Sequence, residues 1–200
     1  MKSIISLLFI ALFIFPASSF SQAAKVSINK TSNGFQLIKN DEPYYIKGAG
    51  AKSNFKKVVE SGANSIRIWS TNKSELLDSA YKYNLSVCLG IWVAQERNGF
   101  NYNDEYNVRS QIELIKKEIL RLKDHPSVIL WGIGNEVDLQ YSNFKVWETI
   151  EEIAKFIKKV DPNHPTATVI AGLDPSKVFM IKKYCPSIDI LGINVYGAIE

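Results

Sequence analysis

A chain of 200 residues with 46% hydrophobic side chains has the length of one domain and the apolar content for a real core. Its net charge of +4 is spread over lysine pairs (Lys56-Lys57, Lys116-Lys117, Lys158-Lys159, Lys182-Lys183), most of them in helically periodic stretches where they read as solvated faces. No basic stripe interleaved with aromatics is present, which argues against a nucleic-acid partner.

In chain order, the first two dozen residues stand apart. Met1-Lys2 is a short basic start, Ile4 to Phe15 is an apolar run broken by Pro16, and Ser21-Gln22-Ala23 resembles a small-residue cleavage site. Residues 1–23 are expected to be a secretory signal peptide, cleaved after Ala23 or Ala24; an uncleaved N-terminal anchor is the alternative. The protein is therefore expected to be secreted or periplasmic, with no membrane attachment after signal removal. Export permits disulfides, but Cys88 lies inside an apolar run and Cys185 precedes a proline at a helix end, so no bridge is expected.

Val26 to Ile28 and Phe35 to Ile38 read as short strands before a turn at Asn40-Asp41-Glu42-Pro43. Strands are then expected at Tyr45–Ala49, Ser65–Trp69, Ser86–Trp92, Val128–Ile133, Ala167–Ile170 and Ile188–Val195. Helices are expected between them, at about 54–61, 73–83, 107–123, 143–159 and 175–184. A long polar loop, Gln95-Glu96-Arg97-Asn98-Gly99-Phe100, follows the third of these strands. His125 and His164 each stand beside a proline at a helix end and read as termination signals. Trp131 and Trp147 read as core.

Six strands alternating with five helices argue for a parallel sheet with right-handed crossovers. Two closures are open: a doubly wound sheet and a (β/α)8 TIM barrel. Gly48-Ala49-Gly50-Ala51-Lys52 is only a fragment of a dinucleotide fingerprint, and Arg67 stands near the end of the next strand where an acidic residue is needed. The α/β barrel is the preferred fold, and no cofactor is expected. With no His/Asp/Glu cluster at ligand spacing, no metal is expected either.

Val128-Ile129-Leu130-Trp131-Gly132-Ile133-Gly134-Asn135-Glu136 is the most informative segment. An apolar run without polar alternation reads as a strand buried on both faces, and it ends in an amide and a carboxylate. Barrel enzymes carry their chemistry at that C-terminal lip. The other strand ends would bring Arg67 and Trp69, Trp92 with Glu96, and Asn194 with Tyr196 to the same lip. Polar groups beside flat aromatic faces suit a sugar. Gly132 and Gly134 share the parity of Glu136, which would leave room beneath it.

Asp124-His125-Pro126-Ser127-Val128, running into Trp131 to Glu136, resembles the fourth strand of clan A glycoside hydrolases. It is most similar to the TIM-barrel domain of glycoside hydrolase family 2. Ile46-Lys47-Gly48, Asn64-Ser65-Ile66-Arg67 and Asp189 to Tyr196 resemble the first, second and sixth strands, so the likeness runs from about Phe35 to the end. The resemblance implies a retaining mechanism with Glu136 as general acid/base and Asn135 contacting the sugar 2-hydroxyl. It also implies that Arg67 holds the nucleophile ionised and that Tyr196 sits near a tyrosine serving the nucleophile, with Asn194 on the same lip. Trp92 and Glu96 are added here as sugar contacts on position alone.

Bland roles stand beside these: a structural carboxylate or helix cap for Glu136, an ion pair for Arg67, packing or turn roles for Tyr196 and Asn194, a rim hydrophobe for Trp92, a solvated charge for Glu96. In the family the nucleophile is a glutamate ending the seventh strand, whereas this sequence ends at Glu200, just after the sixth. The expectation is a barrel domain over residues 24–200, truncated after its sixth strand and inactive by itself. Its partner would be an extracytoplasmic, β-linked oligo- or polysaccharide. A non-catalytic carbohydrate-binding protein and a glucanosyltransferase-like transglycosylase are the alternatives.

Overall fold

The computed structural model describes residues 22–197. The expected signal peptide, apart from Gln22 and Ala23, and Glu200 lie outside the described residues. Two sheets are present. Three antiparallel strands, β1 (Val26–Thr31), β2 (Gly34–Lys39) and β3 (Glu42–Pro43), form one. The other is a six-stranded parallel sheet in sequential order: β4 (Gly48–Gly50), β5 (Ser65–Ile68), β6 (Ser86–Ile91), β7 (Val128–Ile133), β8 (Thr166–Ala171) and β9 (Ile190–Asn194). Helices α1 (Phe55–Glu60), α2 (Glu75–Lys82), α3 (Glu105–Leu122), α4 (Lys145–Val160) and α5 (Pro175–Tyr184) fill the five crossovers. This is the TIM-barrel pattern through its sixth strand.

The expected elements are present with shifted ends. The strand expected at Tyr45–Ala49 is shifted to Gly48–Gly50: Tyr45 and Ile46 are exposed and pairing begins at Gly48. The turn is also tighter than expected. Asn40 and Asp41 take left-handed φ of 52° and 68°, which frees Glu42-Pro43 to pair with Ile38 and Lys39 at an edge, where a proline is tolerated. Helix α3 starts two residues early because the Asp104 carboxylate caps the Asn107 N–H.

Packing follows the side-chain periods. All six residues of β7 are buried, as a strand covered on both faces requires. Ile112, Ile115, Ile119 and Leu122 recur at helical spacing on the buried face of α3, and Trp147, Ile150, Ala154 and Ile157 do so on α4. All of these except Ile112 join Trp131 and Ile133 in the main core between sheet and helices.

The antiparallel sheet plugs the N-terminal end of the parallel strands. Ala24, Val26, Leu37 and Tyr44 pack under Ile129, Leu130 and Ala167. The Tyr44 hydroxyl donates to the Asn64 carbonyl and reaches the Ser65 and Ser86 hydroxyls, at the feet of β5 and β6. With that end closed, the opposite end is the open lip.

Two readings change here. Gly134 has φ of +72° and a β-carbon on it would meet Val93, Val137 and Ile150, so it faces the helix layer and not the space beneath Glu136. Only Gly132 faces inward, opposite Gly90 and Cys88. His164 is more than a helix terminator. It is buried with Asp161, whose Oδ2 accepts from Trp131 Nε1 at 2.7 Å and lies 2.8 Å from His164 Nδ1. Both cysteines are free, and burial pushes the Cys88 thiol up to about 11 despite the nearby Arg67 charge.

Candidate active site

The lip is assembled from the C-terminal ends of β5, β7 and β9 and the loop after β6. Arg67 sits on β5 in register with Cys88 and points inward, as the alternation of Ile66 and Ile68 toward the helix core demands. Its Nη2 donates to Asn135 Oδ1 at 2.7 Å and its Nη1 to Asn194 Oδ1 at 3.4 Å. The guanidinium also lies 5.1 Å from the Trp69 ring, within cation–π range. Trp69 in turn lies across Gly50: a β-carbon there would come within 2.5 Å of the indole.

Asn135 and Glu136 follow β7 but are not extended. Glu136 takes φ of 50°, a left-handed conformation that costs a non-glycine residue on the order of 1–3 kcal/mol. Its N–H donates to the Val169 carbonyl at 2.7 Å, tying the turn to β8. Two residues on, the buried Asp138 carboxylate accepts the Ala171 N–H at 3.0 Å and pairs with Lys177 Nζ at 2.6 Å. This clamp anchors the turn to the end of β8 and to α5, so the strained residue is held from both sides.

The Glu136 carboxylate is largely buried, its side chain 14% exposed. Its Oε1 accepts from Asn194 Nδ2 at 2.8 Å, and its Oε2 lies 3.7 Å from Arg97 Nη2. Asn194 Nδ2 also reaches Asn135 Oδ1 at 3.2 Å. Three residues from β7 and β9, together with Arg67, thus form one hydrogen-bonded cluster around a carboxylate whose second oxygen accepts no hydrogen bond among the described residues.

Sequence reasoning missed two members, Gln95 and Arg97. Gln95 is 2% exposed, and its Nε2 donates to the Asn135 carbonyl at 2.6 Å. Its Oε1 accepts from Arg97 Nε at 2.8 Å and Asn98 Nδ2 at 2.9 Å. The signal was the polar loop after β6, from which only Glu96 was taken, as a sugar contact by position.

Glu96 is held elsewhere. It accepts the N–H groups of Ser142 at 2.6 Å and Asn143 at 2.9 Å, just before α4. Desolvation pushes its pKa up, but the Asn143 and Ser142 hydrogen bonds outweigh that and hold it below the ordinary value. Trp92 and Tyr196 reach the same end of the sheet, 49% and 87% exposed, and neither joins the cluster by a hydrogen bond. Among the described residues no group of three or more His, Cys, Asp or Glu could hold a metal, and no helix is long and apolar enough to cross a membrane.

An inward amide, a carboxylate free at one oxygen and two guanidiniums can bind hydroxyls and move a proton to or from a bound oxygen. Comparison with known proteins gives a family and a fold. The family described as "Glycosyl hydrolases family 2, TIM barrel domain" matches residues 78–197. Among solved structures, a β-D-glucuronidase from Dictyoglomus thermophilum aligns over 86% of this chain and 32% of its own, with TM-score 0.66 and 22% identity. A glycosyl hydrolase family 2 member from Bacteroides cellulosilyticus gives TM-score 0.66 and 21% identity over 86% and 23% of the two chains. A β-glucuronidase from Ruminococcus gnavus gives 0.64 and 19% over 86% and 31%. At these identities the likeness is one of fold, and the chain spans about a third or less of each structure's length.

Proposed function

The chain belongs to glycosyl hydrolases family 2 through its TIM barrel domain, and from that premise we propose that it carries the acid/base half of a retaining glycosidase site acting on a β-linked glycan outside the cytoplasm. One observation carries the reading. Glu136 stands at the C-terminal lip of a buried parallel strand, with Oε1 fixed by Asn194 and Oε2 left to face a ligand.

In this reading Glu136 Oε2 protonates the departing glycosidic oxygen and later takes a proton from the incoming water. Asn135, whose Oδ1 accepts from Arg67 and Asn194, offers its amide nitrogen to a sugar hydroxyl. Arg67 meets only neutral amides and the Trp69 face in the cluster, which leaves it able to stabilise a second carboxylate. Retention needs that second carboxylate at roughly 5–5.5 Å from the first. Glu136 is the one carboxylate among the described residues that touches this cluster. We therefore place the nucleophile outside the described residues and expect residues 22–197 alone not to hydrolyse glycosides.

The lone carboxylate equally favours a second reading, a lip that binds carbohydrate without cleaving it. A panel of aryl β-glycosides, offered to a form of the protein that also supplies the nucleophile, separates the two. Release of the aryl group, lost in Glu136→Ala, supports the enzyme; binding without release supports the lectin-like reading. Export rests on the N-terminal sequence, and N-terminal sequencing of the mature protein tests it: a start at Ala24 or Lys25 supports cleavage, a start at Met1 opposes it.

A further inference from the structure

We propose that Gln95 is a positioning residue that locks the peptide plane between Asn135 and Glu136 and so aims the Glu136 carboxylate into the lip. The inference rests on Glu136 being the acid/base and deepens that reading by adding the residue that sets its direction.

One peptide group is gripped at both poles. The Asn135 carbonyl accepts from Gln95 Nε2 at 2.6 Å, and the Glu136 N–H of the same peptide donates to the Val169 carbonyl at 2.7 Å. A peptide is planar, so fixing both poles fixes its rotation, and with it ψ of Asn135 and φ of Glu136. That φ is 50°, in the left-handed region that a glutamate disfavours. Turning the plane over would relieve this strain by moving Glu136 to the extended side. It would also set the Asn135 carbonyl against the Val169 carbonyl and strand the donor of Gln95, a residue only 2% exposed.

Gln95 can hold the plane because it is itself held. The Ala94 N–H beside it donates to Gln111 Oε1 at 2.6 Å, and the Ala94 carbonyl accepts from the Tyr102 hydroxyl at 2.5 Å. Gln95 Oε1 accepts from Arg97 Nε at 2.8 Å and from Asn98 Nδ2 at 2.9 Å. Two donors facing Oε1 and one acceptor facing Nε2 decide which end of the amide is which. The same side chain thereby sets Arg97, whose Nη2 lies 3.7 Å from Glu136 Oε2. The place calls for an acceptor and a donor on one short planar group. Glutamate offers acceptors alone, and methionine fills similar space with no donor.

NMR of the purified chain reads the lock without catalysis. A left-handed residue brings its own N–H and Hα close together, so Glu136 should give a strong NOE between them, and the Gln95 side-chain amide should exchange slowly. In Gln95→Met and Gln95→Glu the Glu136 amide should exchange at least roughly tenfold faster, while the Ile129 and Leu130 amides inside β7 keep their rates. Gln95→Glu should disrupt at least as much as Gln95→Met, although it keeps the shape and the acceptor for Arg97, because it sets an oxygen against the Asn135 carbonyl. In a form of the protein that also supplies the nucleophile, both variants should lower kcat at least roughly tenfold with KM changed less than about threefold. A freely exchanging Gln95 amide in the unaltered chain overturns the proposal, even if both variants fail to fold. An effect of Gln95→Glu milder than that of Gln95→Met overturns it too, as does an unchanged kcat. Loss of the acid/base reading shows itself separately, as turnover that ignores Glu136→Ala while the Glu136 NOE and exchange still respond to Gln95.

Discussion

Asn194 donates to Glu136 across 58 positions of sequence, Nδ2 to Oε1 at 2.8 Å, and so couples the sixth parallel strand to the carboxylate that follows the fourth. The same nitrogen reaches Asn135, and Asn194 Oδ1 accepts from Arg67. Orientation of the Glu136 carboxylate is thereby a property of the curled sheet, since the ends of β5, β7 and β9 must come together for it.

Removing this donor gives the first test. Asn194→Ala deletes a hydrogen bond to a charged group, worth about 1.5–3 kcal/mol, so kcat/KM should fall roughly 10- to 150-fold on any aryl glycoside cleaved. An unchanged kcat/KM would show that Asn194 has no part in orienting Glu136.

Glu136→Ala removes proton transfer itself. Turnover should drop by roughly 10²- to 10⁴-fold on every substrate hydrolysed, the usual range for a general acid/base. Unaltered turnover across the panel would end its assignment.

The buried network of Trp131, Asp161 and His164 should dominate local stability. Asp161→Ala strands the Trp131 indole N–H and the partner nitrogen of His164, each costing about 1–3 kcal/mol when left unsatisfied. Urea unfolding followed by circular dichroism should show a loss of roughly 2–6 kcal/mol, the sum of two such terms. A midpoint within error of the wild-type value would contradict the buried pairing.

Glu96 links the site loop to pH. Its folded pKa lies below its ordinary value of 4.5, so it favours the folded state above that value and loses this contribution as pH falls through the folded pKa. Glu96→Gln should therefore be less stable than wild type at pH 7, and the two should converge as pH falls below 4.5 and through the folded pKa. A constant difference from pH 7 to pH 3 would count against the Ser142 and Asn143 contacts.

Gly90 is confined by backbone. A β-carbon there would come within 2.6 Å of the Ile68 carbonyl oxygen and the Trp69 Cα, neither of which can swing away. Gly90→Ala should cost about 1–3 kcal/mol or more by overpacking, read as a lower thermal midpoint. A neutral effect would mean that β5 and β6 are less tightly apposed than described.

Much of this was legible before the structure. The continuous apolar run of Val128 to Ile133 could only be a strand buried on both faces, and the 3.6-residue spacing in α3 and α4 marked which helix faces meet it. Alternation of six such strands with five helices already implied a parallel sheet with one chemical end, and Asn135-Glu136 stood at that end. Those signals are local: period, length and position along one segment are enough to read them.

What only the tertiary structure decided is which side chains touch. Parity counting pointed Gly134 beneath Glu136, but left-handed φ at both residues turns the chain out of the period-2 pattern, and no composition rule announces that bend. Glu96 and Arg97 are neighbours in one polar loop. The structure gives the carboxylate to backbone amides before α4 and the guanidinium to the active lip. Their fates were unreadable in sequence because a loop side chain is oriented by partners 40 or more positions away, such as Asn135 and Ser142, and those distances exist only once the sheet has curled.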